Sequence, residues 1–126
     1  MSNIVYIAVP YSHEDKLAED WRFDKINKYT AYRTINFDET IFSPISMMHP
    51  VAKYGLPTDW KFWKKFDTEF LQVSSMLIVL CLPDWEKSIG VAAEIDIMKS
   101  LNKPIEYEKG WVEKNIKMNE WNCFKK

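Results

Sequence analysis

Residues 3–9, Asn-Ile-Val-Tyr-Ile-Ala-Val, form a continuous apolar run that predicts a strand. A run without alternation marks a strand covered on both faces, as in parallel sheets. Pro10-Tyr11-Ser12 ends it. Residues 14–36 predict a long helix with Phe23, Ile26 and Tyr29 on its inner face. Residues 40–45, Thr-Ile-Phe-Ser-Pro-Ile, predict a short second strand cut by Pro44. Met47 to Tyr54 reads as a short helix or turn, broken by Gly55-Leu56-Pro57. Thr58 or Asp59 then caps a helix running to about Val73. Residues 75–82 give a third strand, the most apolar stretch of the chain. A helix over 89–101 follows and is terminated by Asn102-Lys103-Pro104. Ile105-Glu106-Tyr107 reads as a short fourth strand. The tail from Gly110, with Trp111, Val112, Ile116 and Trp121, is compatible with a short final helix.

Alternating strands and helices imply a parallel sheet, because parallel neighbours need crossover connections. The expected fold is α/β and three-layered, with a mainly parallel sheet of four to five strands and helices on both faces, in the Rossmann or flavodoxin manner. No repeat, linker or low-complexity segment divides the chain, so residues 1–126 are expected to form one domain. In such folds the binding crevice lies outside the carboxyl ends of the strands. Three polar segments should converge there: Pro10 to Ser12, Ser43 to His49, and Asp84 to Gly90.

One residue breaks the polarity pattern. In a helix over 89–101, Val91, Ile97, Met98 and Leu101 share a face. Glu94 lies in the middle of that face, three residues after Val91 and four before Met98. Asp96 and Lys99 point elsewhere, to solvent. A carboxylate aimed at the apolar side is costly unless a site uses it or a buried partner compensates it.

Composition narrows the classes. The chain has 126 residues, 47% hydrophobic and 15% aromatic, enough for one real core and too few for two. A formal net charge of −1 supplies no basic field for a nucleic-acid polymer. No apolar run approaches the roughly 20 residues that cross a bilayer, so no membrane partner is expected. The start, Met-Ser-Asn-Ile-Val-Tyr, lacks the charged region of a signal peptide. Cys81 in a strand and Cys123 near the end make no disulfide framework, and a cytoplasmic location is expected. Two histidines and two cysteines show no metal spacing, so no metal is expected.

Four sets of residues together carry a family likeness. They are Tyr6 with Pro10-Tyr11-Ser12, Phe42-Ser43-Pro44-Ile45 with His49-Pro50, Asp59-Trp60…Trp63…Asp67, and Trp85…Ser88-Ile89-Gly90-Val91-Ala92-Ala93-Glu94-Ile95. Over roughly residues 4–106 the chain resembles the nucleoside 2-deoxyribosyltransferase-like superfamily. That group includes deoxyribosyltransferases, nucleoside 5′-monophosphate N-glycosidases and small uncharacterised bacterial and phage relatives, to which this chain is most similar.

The resemblance implies a nucleophile at Glu94, attacking the anomeric carbon and displacing the base. Two displacements through a covalent ester replace one hard step with two easier ones. It also implies Asp67 as proton donor to the leaving base and Tyr6 as a holder of nucleophile or sugar. Ser88 matches a serine that contacts the 5′-phosphate in the monophosphate-cleaving branch, and a helix N-terminus suits an anion. Arg22 is a candidate counter-charge. Tyr11, Ser12, Ser43, His49, Trp85 and Gly90 complete the expected substrate-binding set. Trp60, Trp63 and Trp85 are the candidates for stacking a base, with one of them expected to touch ligand. The implied partner is a small nucleoside or nucleotide, with no cofactor and with a homodimer or larger homo-oligomer as the assembly.

Structural alternatives stand beside these roles: Ser88 as an ordinary N-cap, Tyr6 as core, Asp67 as a solvated or lysine-paired carboxylate, and His49 as a structural hydrogen-bonder. The chain also departs from its relatives. Val9-Pro10-Tyr11-Ser12 replaces the glycine and arginine that often follow strand one in phosphate-binding members. Met47-Met48-His49-Pro50 keeps one histidine where close relatives have two, and Ser75 replaces an acidic residue. Three functions remain open: an N-glycosidase releasing the sugar to water, a transferase exchanging bases, and a non-catalytic nucleotide-binding module.

Overall fold

The computed structural model describes residues 3–111. In chain order the elements are β1 (Ile4–Ala8), α1 (Lys16–Asn36), β2 (Thr40–Phe42), α2 (Pro44–Ala52), α3 (Trp60–Val73), β3 (Met76–Leu80), α4 (Ile89–Ser100) and β4 (Ile105–Glu108), with a single 3-10 turn at Trp85–Lys87 before α4. The strands form one sheet in the order β2-β1-β3-β4, and every pairing is parallel. The α/β expectation holds, with four strands among the described residues.

The two faces of the sheet follow from the alternation of side chains along β1 and β3. Val5 and Ile7 of β1 and Ile78 and Leu80 of β3 pack with Ile26 and Tyr29 of α1. Tyr6 and Ala8 of β1 and Leu77 and Val79 of β3 pack with Leu71 of α3 and with Val91 and Met98 of α4. Both faces are therefore covered, which is why β1 and β3 read as unbroken apolar runs. Each fully buried Leu, Ile or Val contributes about 1.5–3 kcal/mol, enough to hold both layers against the sheet. Trp111 adds an edge-on ring to Tyr29 at 5.3 Å.

Several boundaries differ from the sequence reading for physical reasons. Pro44 does not cut a strand; it starts α2, with Ser43 as N-cap, and β2 ends at Phe42. Proline fits the first helical turn because its missing N–H has no partner there anyway. The helix thus starts three residues before the predicted 47–54 segment, ends at Ala52 and contains Pro50. The inner face of α1 is Glu19, Arg22, Ile26, Tyr29 and Arg33, so Ile26 and Tyr29 are buried as expected and three charged residues join them. Phe23 is only half-buried. Leu101 is 37% exposed and lies just past the end of α4. Asn102 takes the left-handed conformation at φ 57°, a usual way to end a helix. The expected tail helix lies, beyond Trp111, outside the described residues.

Topology fixes the place of the site. From β1 the chain moves outward to β2; from β3 it moves the other way, to β4. Connections diverging from adjacent parallel strands leave a crevice at their carboxyl ends.

Candidate active site

Glu94 is held over the sheet by the register of α4. Ser88 caps the helix, its hydroxyl accepting from the Val91 N–H at 3.2 Å. Val91, Glu94 and Met98 then form the buried face. Tyr6, central in β1, points to the same side of the sheet as Val91 and Met98. Its hydroxyl donates to Glu94 Oε2. Asp67 reaches the same place from α3, one turn before the buried Leu71. Glu94 is 6% exposed and Asp67 9%.

This arrangement is electrostatically unusual. Burial, reinforced by the negative charge of Asp67 and opposed by the Tyr6 hydrogen bond, pushes the Glu94 carboxyl up to about 8. Burial pushes Asp67 up to about 7, again opposed by Tyr6. Burial and both carboxylates hold the Tyr6 phenol well above its ordinary value. Among the described residues, no lysine or arginine contributes to either carboxyl shift. A structural carboxylate would normally be paired with a cation; these two share the Tyr6 phenol instead.

Both carboxyls open onto a cleft of about 450 Å³, within the usual range for small-ligand sites. Its floor includes Ile7, Ala8 and Val9 at the end of β1. The three segments expected at the sheet rim meet there. Tyr11 and Ser12 come from the first, His49 from the second, and Ser88 and Gly90 from the third. Ser12 donates its hydroxyl to the Thr58 carbonyl, tying two rim loops together. A side chain at Gly90 would meet Trp60 at an ordinary 3.8 Å, so this glycine is not demanded by crowding.

Other expected site residues sit elsewhere. Arg22 is 7% exposed and lies off the cleft wall. Its Nη1 donates to the backbone carbonyls of Tyr11, at 3.2 Å, and Ser12, at 3.0 Å. It shapes the rim loop instead of facing a ligand. Ser43 pairs with the Ser46 hydroxyl at 2.7 Å, also off the wall. Trp85 packs against Tyr107 with centroids 5.6 Å apart, leaving Trp60 and Trp63 as the tryptophans that line the cleft. Ser88 combines its capping role with a place on the wall.

Two residues on the cleft wall and one behind it escaped the sequence reading. Lys61 and Lys87 supply exposed cations on the cleft wall. Lys87 had a signal, since it directly precedes the helix-capping serine. Asp20 contacts His49 Nε2 at 3.1 Å from a helix 29 positions away, and no local pattern reveals it. His49 is thereby linked on one side to Asp20 and on the other, through Nδ1, to the Tyr11 hydroxyl. Among the described residues, no group of three or more His, Cys, Asp or Glu is arranged to hold a metal. No helix among them is long and apolar enough to cross a membrane.

Compared with curated proteins, the chain finds no match. The model of one protein family, DUF1937, matches residues 3–109, which span every described strand and helix, and the chain belongs to that family of domains of unknown function.

Proposed function

We propose that the protein cleaves the N-glycosidic bond of a nucleoside or (deoxy)nucleoside 5′-monophosphate through a glycosyl ester on Glu94. The observation that carries this reading is the buried Glu94–Tyr6–Asp67 group, without a cationic partner among the described residues and open to a cleft of ligand size. The sequence resemblance to nucleoside 2-deoxyribosyltransferase-like proteins supports the same assignment of roles.

The Glu94 carboxylate attacks C1′ of the sugar, the C1′–N bond breaks, and the Asp67 proton passes to the departing base. Tyr6 keeps Glu94 oriented and stabilises its charged form by donating to Oε2. Water then attacks C1′, its proton goes to the Asp67 carboxylate, and Glu94 leaves as a carboxylate. The oxocarbenium character of both transition states is favoured by an adjacent negative charge. Trp60 and Trp63 offer aromatic faces to a base, and Lys61, Lys87 and the α4 amides offer positive potential to an anionic substituent.

A base in place of water would capture the same ester, so the transferase reading shares every step but the last. Supplying a second base and looking for a new nucleoside separates the two. A homodimer or larger assembly belongs to this proposal and is read by light scattering. The principal test is chromatography of free base released from a panel of nucleosides and nucleotides. Wild-type protein is expected to release base, and Glu94→Gln and Glu94→Ala to lose at least about 10³-fold while remaining folded. Unchanged release by both variants contradicts the mechanism. Ligand-dependent stabilisation without release identifies a binding module instead.

A further inference from the structure

A second polar chain lies on the cleft, apart from the carboxyl pair. Asp20 Oδ1 of α1 stands 3.1 Å from His49 Nε2 of α2. His49 Nδ1 bonds the Tyr11 hydroxyl. The imidazole is clamped between them. Phe23 stacks on it with centroids 4.3 Å apart, and the Tyr11 ring stands edge-on at 86°. Tyr11 and His49 both line the cleft; Asp20 does not.

The direction of each hydrogen bond follows from the inventory of protons. An ionised carboxylate only accepts, so His49 Nε2 must carry the hydrogen that meets Asp20. A neutral imidazole has one N–H, so Nδ1 is left as a bare acceptor. The Tyr11 hydroxyl must then donate to Nδ1, and its single proton is committed. Burial, with Glu19 and Asp20 nearby, pushes the Tyr11 phenol up to about 12, so it keeps that proton at neutral pH. Only lone pairs remain on the oxygen for anything else in the cleft.

We propose that Asp20 and His49 make the Tyr11 oxygen a pure hydrogen-bond acceptor on the cleft wall, which selects a ligand presenting an O–H or N–H donor at that point. Asp20 is a positioning residue, acting through His49. Without it the ring is free to take the other tautomer. Nδ1–H would then donate to the phenol oxygen, and the phenol proton would turn to the cleft. The same tyrosine would favour an acceptor. The choice of nucleotides as ligands rests on the function proposed above; the tautomer does not. Two groups of a nucleotide meet the requirement, a sugar hydroxyl or an exocyclic base amine, and they are separable by experiment.

The test uses the full chain at pH 8. His13→Gln leaves His49 as the sole imidazole, and a long-range ¹H–¹⁵N correlation reads its tautomer. The expected spectrum is a neutral ring with hydrogen on Nε2, and mixed tautomers after adding Asp20→Ala. Calorimetry then compares 5′-monophosphate pairs: adenine against hypoxanthine, cytosine against uracil, ribose against 2-deoxyribose. In one pair type, wild type is expected to bind the donor-bearing member about tenfold tighter or more. Asp20→Ala is expected to narrow that gap to under about threefold, because it frees the phenol proton. The pair type that responds identifies base amine or sugar hydroxyl. Hydrogen on Nδ1, a doubly protonated ring, or pairs bound equally by wild type overturns the relay. If no nucleotide binds, the proposed function fails, the selection of nucleotide donors fails with it, and the spectrum alone decides the tautomer.

Discussion

Glu94 is destabilising in its charged form, and that has a thermodynamic signature. Its folded-state value of about 8 lies above its ordinary 4.5, so between those limits the folded chain binds a proton that the unfolded chain releases. Stability from this group is therefore full at low pH and is lost as pH rises through about 8. Asp67, raised to about 7, acts in the same sense. Wild-type Tm should fall between pH 5 and pH 8.5 on this account. Glu94→Gln, which stays neutral and still accepts from Tyr6, should flatten that fall and be more stable than wild type by about 1–3 kcal/mol at pH 8. A thermal melt series checks both. On the proposed mechanism, the same two groups set the activity profile. The working form of the pair carries one proton, on Asp67; it is the minor of the two singly protonated forms, because Glu94 holds a proton more tightly, and the coupled groups titrate as a unit. The rate should rise as pH approaches about 7, where the second proton leaves, and decline beyond about 8, where the last one does. Asp67→Asn should remove the alkaline limb and cost about 10²–10⁴ in rate, read from kcat/KM against pH. At this scale Glu94 was visible in sequence because Val91 and Met98 bracket it on an apolar face. Arg22 was misread because its partners are the backbone carbonyls of Tyr11 and Ser12, and carbonyls leave no trace in residue type. Asp20 and His49 meet only through the packing of α1 on α2.

Elements were legible where pattern and length agreed. β1 and β3 are buried on both faces, and α4 has an N-cap serine and a left-handed asparagine past its end. The segment around Pro44 was not, because proline ends a strand and begins a helix with equal ease. The charged inner face of α1 also escaped. Arg33 is buried there because Glu39 receives it through contacts of 2.7, 2.8 and 3.1 Å, a pairing created by the turn after the helix. The end of α3 shows a similar dependence on tertiary contact. Its last carbonyls carry partial negative charge, and Lys103, from the turn after α4, donates to those of Leu71 at 3.2 Å, Gln72 at 2.5 Å and Ser74 at 2.7 Å. Lys103→Met keeps the aliphatic stem and removes the donor. It should lower stability by about 1–3 kcal/mol in urea unfolding, with the slope of the transition unchanged. A smaller change than a few tenths of a kcal/mol would mean that water replaces the ammonium without cost.

At the scale of the whole molecule, the strand order β2-β1-β3-β4 places the crevice before any side chain is considered. That much followed from the alternation of elements in the sequence. The identity of the walls did not, because it depends on loop paths: Trp60 and Trp63 turn into the cleft while Trp85 turns to Tyr107. The result is one buried acid pair at the foot of a cleft built from three rim segments, where the proposed mechanism forms and breaks an ester beside a bound sugar. Such an ester is a property of the entire chain that can be weighed. Rapid acid quench during turnover, followed by intact-protein mass spectrometry and peptide mapping, reads it directly. The account predicts a species heavier by one glycosyl group, located on the peptide containing Glu94 and absent from Glu94→Gln. Base release at full rate with no such species, or with the added mass on another residue, would contradict it.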